Sequence, residues 1–363
     1  MKTNALINAA IVGCGRIAPK HIEAINALEK NGARIRCASD PKIDNLKNEN
    51  LMREVLRFPD FRAPDFMTGI DLAVILTESG NHYENAKYFL ESGIDVLIEK
   101  PVTLRLDHAL DLKRLAITKN RKIYVVKQNR FNHPIKLAKK FCDDGFLGKP
   151  QIGTIRVRWC RPQEYYDLAP WRGTWAMDGG VISNQASHHI DLLRWFMGEV
   201  HSVRAFSRKF SANIEAEDTL VAALEFSNGA LGTIEATTTT RPRNLEGSLS
   251  VQGHMGAFEV SGHAVNHMRF MQSAHPDFNE VAQVSNAKSN IGVNDVYGSG
   301  HRSIYEEILK DRLGLVNSAV TLDDAIESLK LIHLLYLSVE QDRTVLMSEL
   351  GTGSARLGIS KCE

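Results

Sequence analysis

The sequence contains no apolar stretch approaching the roughly 20 residues that span a bilayer. It also lacks a dominant charge. Lys and Arg total 44 against 43 Asp and Glu, a formal net charge of +1 with no long run of one sign. That balance excludes the basic footprint of a nucleic-acid or membrane-surface binder. Cysteine is sparse and unpatterned: Cys14, Cys37, Cys142, Cys160 and Cys362 form no Cys-x-x-Cys and no Cys/His cluster at zinc spacing. Neither a disulfide framework nor a metal is therefore expected. No internal repeat or low-complexity linker divides the chain. The start, "MKTNALINAAIVGCG", carries a single lysine and runs directly into a glycine fingerprint, so it reads as a first strand rather than a signal peptide, and the protein as cytoplasmic.

What is present is enough for two domains with real cores: 363 residues, 43% hydrophobic and 24% charged. In the first third, "LINAAIVG", "ARIRCASD", "DLAVILT", "IDVLIEKP" and "KIYVVKQ" read as buried strands. They alternate with helical patterns such as "PKHIEAINALEKN" and "NHYENAKYFLESG", which predicts a parallel sheet covered by helices. Later, after the helical "HPIKLAKKFCDDG", strand-like runs dominate, and "SNG" between "LVAALEF" and "ALGTIEA" marks a hairpin. The expected architecture is α/β, with a dinucleotide-binding Rossmann domain over 1–128. An α+β domain with a mostly antiparallel open sheet follows over 129–345, then a loosely ordered Gly/Ser-rich tail over 346–363.

Gly13-Cys14-Gly15-Arg16-Ile17-Ala18 fits Gly-x-Gly-x-x-Gly/Ala between a strand and a helix. Gly13 permits the tight turn, Gly15 lets backbone approach a pyrophosphate, and Ala18 lets helix and strand pack closely. The helix N-terminus adds N–H donors for the phosphates. Asp40, at the end of the second strand, is placed to accept hydrogen bonds from a ribose and to repel a 2′-phosphate, which favours NAD over NADP. Lys42 works against that preference.

"IEKP" sets Lys100 where a strand leaves the sheet, so that it can hydrogen-bond a substrate hydroxyl. A surface Glu–Lys pair is the equally weighted alternative. In "DGGVISNQASHHIDLLRWFMG", residues 178–198, Asn184 and His188 are spaced i, i+4 and share a helix face, whereas His189 is rotated about 100° away. A neutral imidazole has an ordinary pKa of about 6.5, suited to taking a hydroxyl proton, so His188 is the candidate base and Asn184 its helper. A capping or core-packed histidine is the bland alternative.

Taken together, "VGCGRIAPKH", "EKP" and "DGG…NQASHHIDLL" resemble the glucose–fructose oxidoreductase / inositol dehydrogenase (Gfo/Idh/MocA) family over nearly the whole chain. The resemblance implies that Lys100 and His188 are the catalytic pair. It implies NAD contacts from Gly13, Gly15, Arg16, Ile17 and Asp40, from Thr77, His82, Glu99 and Lys100, and from Gln128, Trp171 and Arg172. Many members carry Asp where this chain has Asn184. "VVKQNRFN", "RPQEYYDLAPWRGTW", "RNLEGS" and "YGSGH" are similar to the branch that oxidises C3 of UDP-N-acetylglucosaminuronic acid for bacterial surface polysaccharides (lipopolysaccharide O-antigen), which also has asparagine there. That likeness implies NAD reoxidised by a 2-oxo acid such as 2-oxoglutarate, and a homotetramer.

Such a substrate brings several negative charges, which arginine forks match. Arg158, Arg161 and Arg172 cluster in sequence among Tyr165, Tyr166 and Trp171, and Arg241 and Arg243 offer a second basic patch beside Asn244. Arg161, Tyr165 and Arg172 are the substrate candidates, with Lys100, Asn184, His188 and also His301 at a helix start. The other readings are a dehydrogenase of a free polyol or aldose, disfavoured by the arginines, and an NAD-binding regulator without catalysis, disfavoured by Lys100 and His188.

Overall fold

In the computed structural model, which describes residues 7–43, 55–278, 300–316 and 320–360, the apolar runs of the first third become parallel strands. These are β1 (Ile7–Val12), β2 (Ala33–Ser39), β3 (Leu56–Phe58), β4 (Leu72–Ile75), β5 (Asp95–Ile98) and β6 (Ile123–Val125). Between them lie α1 (Ala18–Asn26), α2 (His82–Glu91) and α3 (Leu106–Lys119). The order across the sheet is β3-β2-β1-β4-β5-β6, with every pairing parallel. Side chains of β4 are buried without alternation because helices cover both faces. β3 escapes sequence reading: it is an edge strand of three residues, mostly exposed, with no apolar run to announce it. The order reverses between β1 and β4, which opens a crevice at the carboxyl ends of those strands.

The second compact unit holds α4 (His133–Asp143), β7 (Pro150–Arg158), α5 (Gln163–Asp167), α6 (Ser187–Met197), β8 (Val200–Arg208), β9 (Thr219–Phe226) and β10 (Leu231–Thr237). It continues through β11 (Glu246–Gly253), β12 (Gly256–Ser261) and β13 (His267–Ser273), and ends with β14 (Val345–Leu346). Its eight-stranded sheet runs β13-β12-β11-β7-β10-β9-β8-β14 and is antiparallel except between β7 and β10. Two parallel neighbours need a long crossover, and this one carries the "DGG…NQASHH" segment. α6 lays Ile190, Leu193, Phe196 and Met197 on the sheet, each buried. Burying side chains of this size stabilises by about 1.5–3 kcal/mol apiece. Gly153 on β7 is the small residue that admits α6: a Cβ there would lie 2.6 Å from Met197.

Two expectations about boundaries are corrected. Residues 300–326, with α7 (His301–Arg312), belong to the first unit rather than to a continuous 129–345 domain. The reason is side-chain pairing: Tyr305 meets His21 of α1 at 2.7 Å, and Arg312 grips Asp71 and Asp95 at 2.5 and 3.0 Å. The tail is also held, through its last described residue, 360. Ser354 and Ala355 donate backbone N–H groups to His333 and Glu340 on α8 (Leu322–Gln341), each at 3.0 Å, and Leu357 is buried. Of the "YGSGH" stretch, residues 297–299 lie outside the described residues.

Candidate active site

In the first unit the glycine loop follows β1. Gly13 has φ +91, and a Cβ there would sit 2.9 Å from the backbone of Leu76 and Thr77, so glycine is required twice over. At Gly15 a Cβ would meet nothing within 4 Å, which leaves the backbone open to a ligand. Arg16 is exposed, Ile17 is half-buried, and α1 begins without a side-chain cap, so its first N–H groups are not consumed by one. Asp40 accepts from the Cys14 N–H at 2.9 Å and the Lys42 N–H at 2.8 Å, which locks the acid to the loop. Burial, with the negative Asp40 beside it, pushes the Cys14 thiol up to about 12, so it stays protonated.

β4 and β5 end in a second group. His82 is fully buried, with its ring nitrogens 2.7 Å from the Pro101 carbonyl and 3.1 Å from the Thr77 carbonyl, and burial lowers its pKa. Asn85 donates to the Thr77 hydroxyl at 3.0 Å. His82 thus ties the strand ends on which Thr77 and Lys100 sit. Expected on the cofactor, it lies between the two strand ends, and as a neutral ring it donates its one N–H to one of these carbonyls. Glu99 is likewise buried. Its carboxylate faces His21 Nε2 at 3.1 Å and His301 Nε2 at 4.0 Å, and accepts from the Lys100 N–H at 3.0 Å. Burial pushes Glu99 up, but the His21 hydrogen bond and the charges around it outweigh this and hold it at about 2. His301, expected at the substrate, is instead buried here, 5.0 Å from the His21 ring, because the start of α7 packs on α1. His21, Glu99 and His301 have the composition of a metal site. His21, however, meets Glu99 with one ring nitrogen and the Tyr305 hydroxyl with the other, so hydrogen bonding accounts for its place.

In the second unit the reacting segment is a turn followed by a helix. α6 starts at Ser187, so Asn184 is not on it, and the shared helix face expected for Asn184 and His188 does not form. Asn184 sits in the preceding turn, where its Nδ2 donates to Asp178 Oδ1 at 2.5 Å. The histidines do part. His188 is half-buried, 2.9 Å from Gln128 Nε2. His189 is buried edge-on to Trp159, and burial lowers it to about 4. Gln128, expected on the cofactor, is thereby placed with the candidate base.

Asp178 is the residue that sequence reading missed. Fully buried, it also accepts from the Gly173 N–H at 2.8 Å and so joins the Arg172 loop to the Asn184 turn. In that loop the Arg172 guanidinium lies 4.5 Å from the Tyr165 ring centre and 4.6 Å from that of Trp171, and donates to the Tyr165 hydroxyl at 2.6 Å. Arg161 lies 5.1 Å from the same tyrosine and is held by Asn244 at 3.1 Å. Arg158 does not join them: it is spent on Glu235, with two contacts of 2.6 Å across the sheet. Arg241 is caught by the carbonyls of Thr238 and Thr240.

Residues 7–127 match a family model described as the NAD-binding Rossmann fold of an oxidoreductase family, Gfo/Idh/MocA, and residues 139–347 match that family's C-terminal alpha/beta domain. The chain belongs to the Gfo/Idh/MocA oxidoreductases. The cofactor of this family member is NAD, and the open Gly15, the uncapped α1 and the anchored Asp40 fit it. Two solved structures are similar over 95% of this chain: the WlbA dehydrogenases of Bordetella pertussis (34% identity, TM-score 0.87, 98% of that chain) and Chromobacterium violaceum (33%, 0.86, 96%). Both hold NADH and UDP-GlcNAcA. The NAD-dependent scyllo-inositol 2-dehydrogenase of Bacillus subtilis is 26% identical over 64% of this chain and 68% of its own length. Another curated relative is matched over only 41% of its length.

Proposed function

We propose that this oxidoreductase oxidises the C3 hydroxyl of a UDP-N-acetylated uronic acid sugar, as a UDP-N-acetylglucosaminuronate 3-dehydrogenase. The observation that carries this reading is the arginine–tyrosine group of Arg161, Tyr165 and Arg172. Two guanidiniums share one aromatic ring, and the buried Nε of Arg172 has no hydrogen-bond partner among the described residues. Such a group suits phosphate or carboxylate oxygens more than a neutral polyol. The similarity to WlbA, with UDP-GlcNAcA bound, supports the same class of substrate.

In this mechanism neutral His188 accepts the proton of the C3 hydroxyl while Lys100 hydrogen-bonds the same oxygen, stabilising the charge that develops there. NAD, when bound, supplies the acceptor for the hydride leaving C3, so alcohol becomes ketone and one proton is released. Asn184, oriented by Asp178, positions the sugar. A 2-oxo acid such as 2-oxoglutarate would regenerate NAD. The product would serve bacterial surface-polysaccharide synthesis in the cytoplasm.

A homotetramer completes the reading. One face of the large sheet exposes Ile152, Phe206, Val221 and Leu231, an apolar surface suited to a second copy, and sedimentation would report a single subunit if that is wrong. The decisive test is mass spectrometry of the purified protein with UDP-GlcNAcA and 2-oxoglutarate, with a 3-keto sugar lighter by two hydrogens expected. The likeness to scyllo-inositol 2-dehydrogenase favours a free polyol instead. Comparable rates with inositols and UDP-sugars would decide for that reading.

A further inference from the structure

Glu217 and Asp218 are adjacent in sequence and opposite in environment. Both are buried. The Asp218 carboxylate accepts from the N–H groups of Phe210, Ser211 and Ala212 at 2.9, 2.8 and 3.1 Å, and from the Thr219 hydroxyl at 3.1 Å. Glu217 has far less. Its Oε1 accepts from the Tyr336 hydroxyl at 2.9 Å and the Ile182 N–H at 3.1 Å, while Oε2 has no partner among the described residues. Burial pushes Glu217 up to about 7 against the pull of those hydrogen bonds, and negative Asp218 adds to the rise. A buried carboxylate with one bare oxygen is unfavourable, whereas the neutral acid is tolerated.

What Glu217 touches is the turn that leads to His188. Its backbone carbonyl accepts from the Val181 N–H at 3.1 Å, and Tyr336 accepts from the Gly180 N–H at 3.2 Å. A Cβ on Gly180 would strike the Glu217 carboxyl, so glycine is needed for this approach. The same turn carries Asn184, whose N–H donates to the Gly180 carbonyl at 3.1 Å, and Ala186, whose N–H donates to that of Val181 at 2.8 Å.

We propose that Glu217 is a positioning residue for the His188 arm: uncharged, it stays packed against Gly180–Ile182, and ionised, it must draw water to its bare Oε2, which loosens them. The proposal rests on the reading of His188 as the base. The titratable groups facing Glu217 are Tyr336 from α8 and Asp218 at the start of β9. The Tyr336 phenol is driven well above its ordinary range, by burial first and then by the Glu217 charge, so it keeps its proton. The sign follows. A carboxyl raised by folding contributes stability that is fully present below its ordinary pKa of 4.5 and lost as pH rises through about 7.

Amide hydrogen exchange on the whole protein tests this without any substrate. Protection at Gly180, Val181 and Ile182, corrected for intrinsic base catalysis, should fall about tenfold or more between about pH 6 and pH 8.5 in the wild type. Glu217→Gln should keep the same protection at both values. In turnover assays the wild type should lose kcat on the alkaline side while Glu217→Gln does not, with KM for NAD unchanged. Protection independent of pH in the wild type, or a Gln variant as pH-sensitive as the wild type, would overturn the proposal. Because exchange needs no sugar, failure of the substrate reading leaves this result standing. An active His188→Ala variant would remove the arm's catalytic role on separate grounds.

Discussion

The glycine loop after β1 and the turn before α6 are both prepared for a ligand, by opposite means. The loop is made of backbone: Gly13 at positive φ, Gly15 beside open space, and an uncapped helix start, with a single carboxylate from Asp40 as its fastening. The turn is made of side chains drawn from across its unit. Asp178 binds Asn184 and Gly173, Gln128 meets His188, and Glu217 and Tyr336 support Gly180 and Ile182. A backbone site depends on few side chains and tolerates their loss. A side-chain site concentrates its function in each one.

The largest expected effects follow from that concentration. His188→Ala and Lys100→Ala should each lower kcat by about 10²–10⁴, the usual range for a positioned acid or base. NAD affinity, measured by fluorescence titration, should stay within about threefold. Turnover close to wild type in either variant would remove that residue from the chemistry and end the contrast with the loop.

Asp178→Ala comes next. It leaves the buried Gly173 N–H without its acceptor, a cost of about 1–3 kcal/mol in stability, and removes the bond that Asn184 makes to Oδ1. Turnover should fall about tenfold or more, because Asn184 and the Arg172 loop lose their common tether. Asp178→Asn keeps one acceptor and should lie between. If thermal melting shifts while kcat for the sugar does not, Asp178 serves the fold alone.

The same contrast explains what could be read from sequence. The cofactor end is local: Gly13, Gly15 and Ala18 stand within six residues, and Asp40 follows the next strand, so periodicity and one fingerprint mark them as candidates. The EKP lysine and the His188/His189 pair were also visible as short patterns. The rest of the arm was not: Glu217 and Tyr336 are brought to it only by folding, with nothing in their own neighbourhoods to mark them, and Gln128 was marked for the cofactor rather than for His188. Local spacing also misled. The i, i+4 interval placed Asn184 on a helix that begins three residues later, and it left Asp178, whose partners lie at Gly173 and Asn184, without a role. A helix start likewise says nothing about the surface on which that helix is packed, so the burial of His301 beside His21 and Glu99 could not be read from sequence.

A smaller effect would sharpen the loop side. Asp40→Ala should weaken NAD binding by a few fold and narrow the NAD/NADP ratio by about fivefold, since one charge–phosphate repulsion is worth about 1 kcal/mol at a partly exposed site. The loop itself should survive, because φ at Gly13 and the opening at Gly15 do not depend on the acid. An unchanged cofactor ratio would mean that the carboxylate only anchors Cys14 and Lys42.

The smallest effect is expected one residue from the largest. His189 is buried, and neither ring nitrogen has a hydrogen-bond partner among the described residues, so His189→Leu should hold turnover within about twofold by occupying similar volume. Its signature is in stability. With burial lowering His189 to about 4, the folded protein resists a proton that the unfolded chain takes up near its ordinary 6.5. Stability should therefore fall as pH drops from about 6.5 towards 4, by up to about 3 kcal/mol, and the leucine variant should lose that part of the acid sensitivity. Denaturant titrations at the two ends of this window measure it. Acid sensitivity unchanged by the substitution, or turnover lost as in His188→Ala, would show that the two histidines are not divided between base and core.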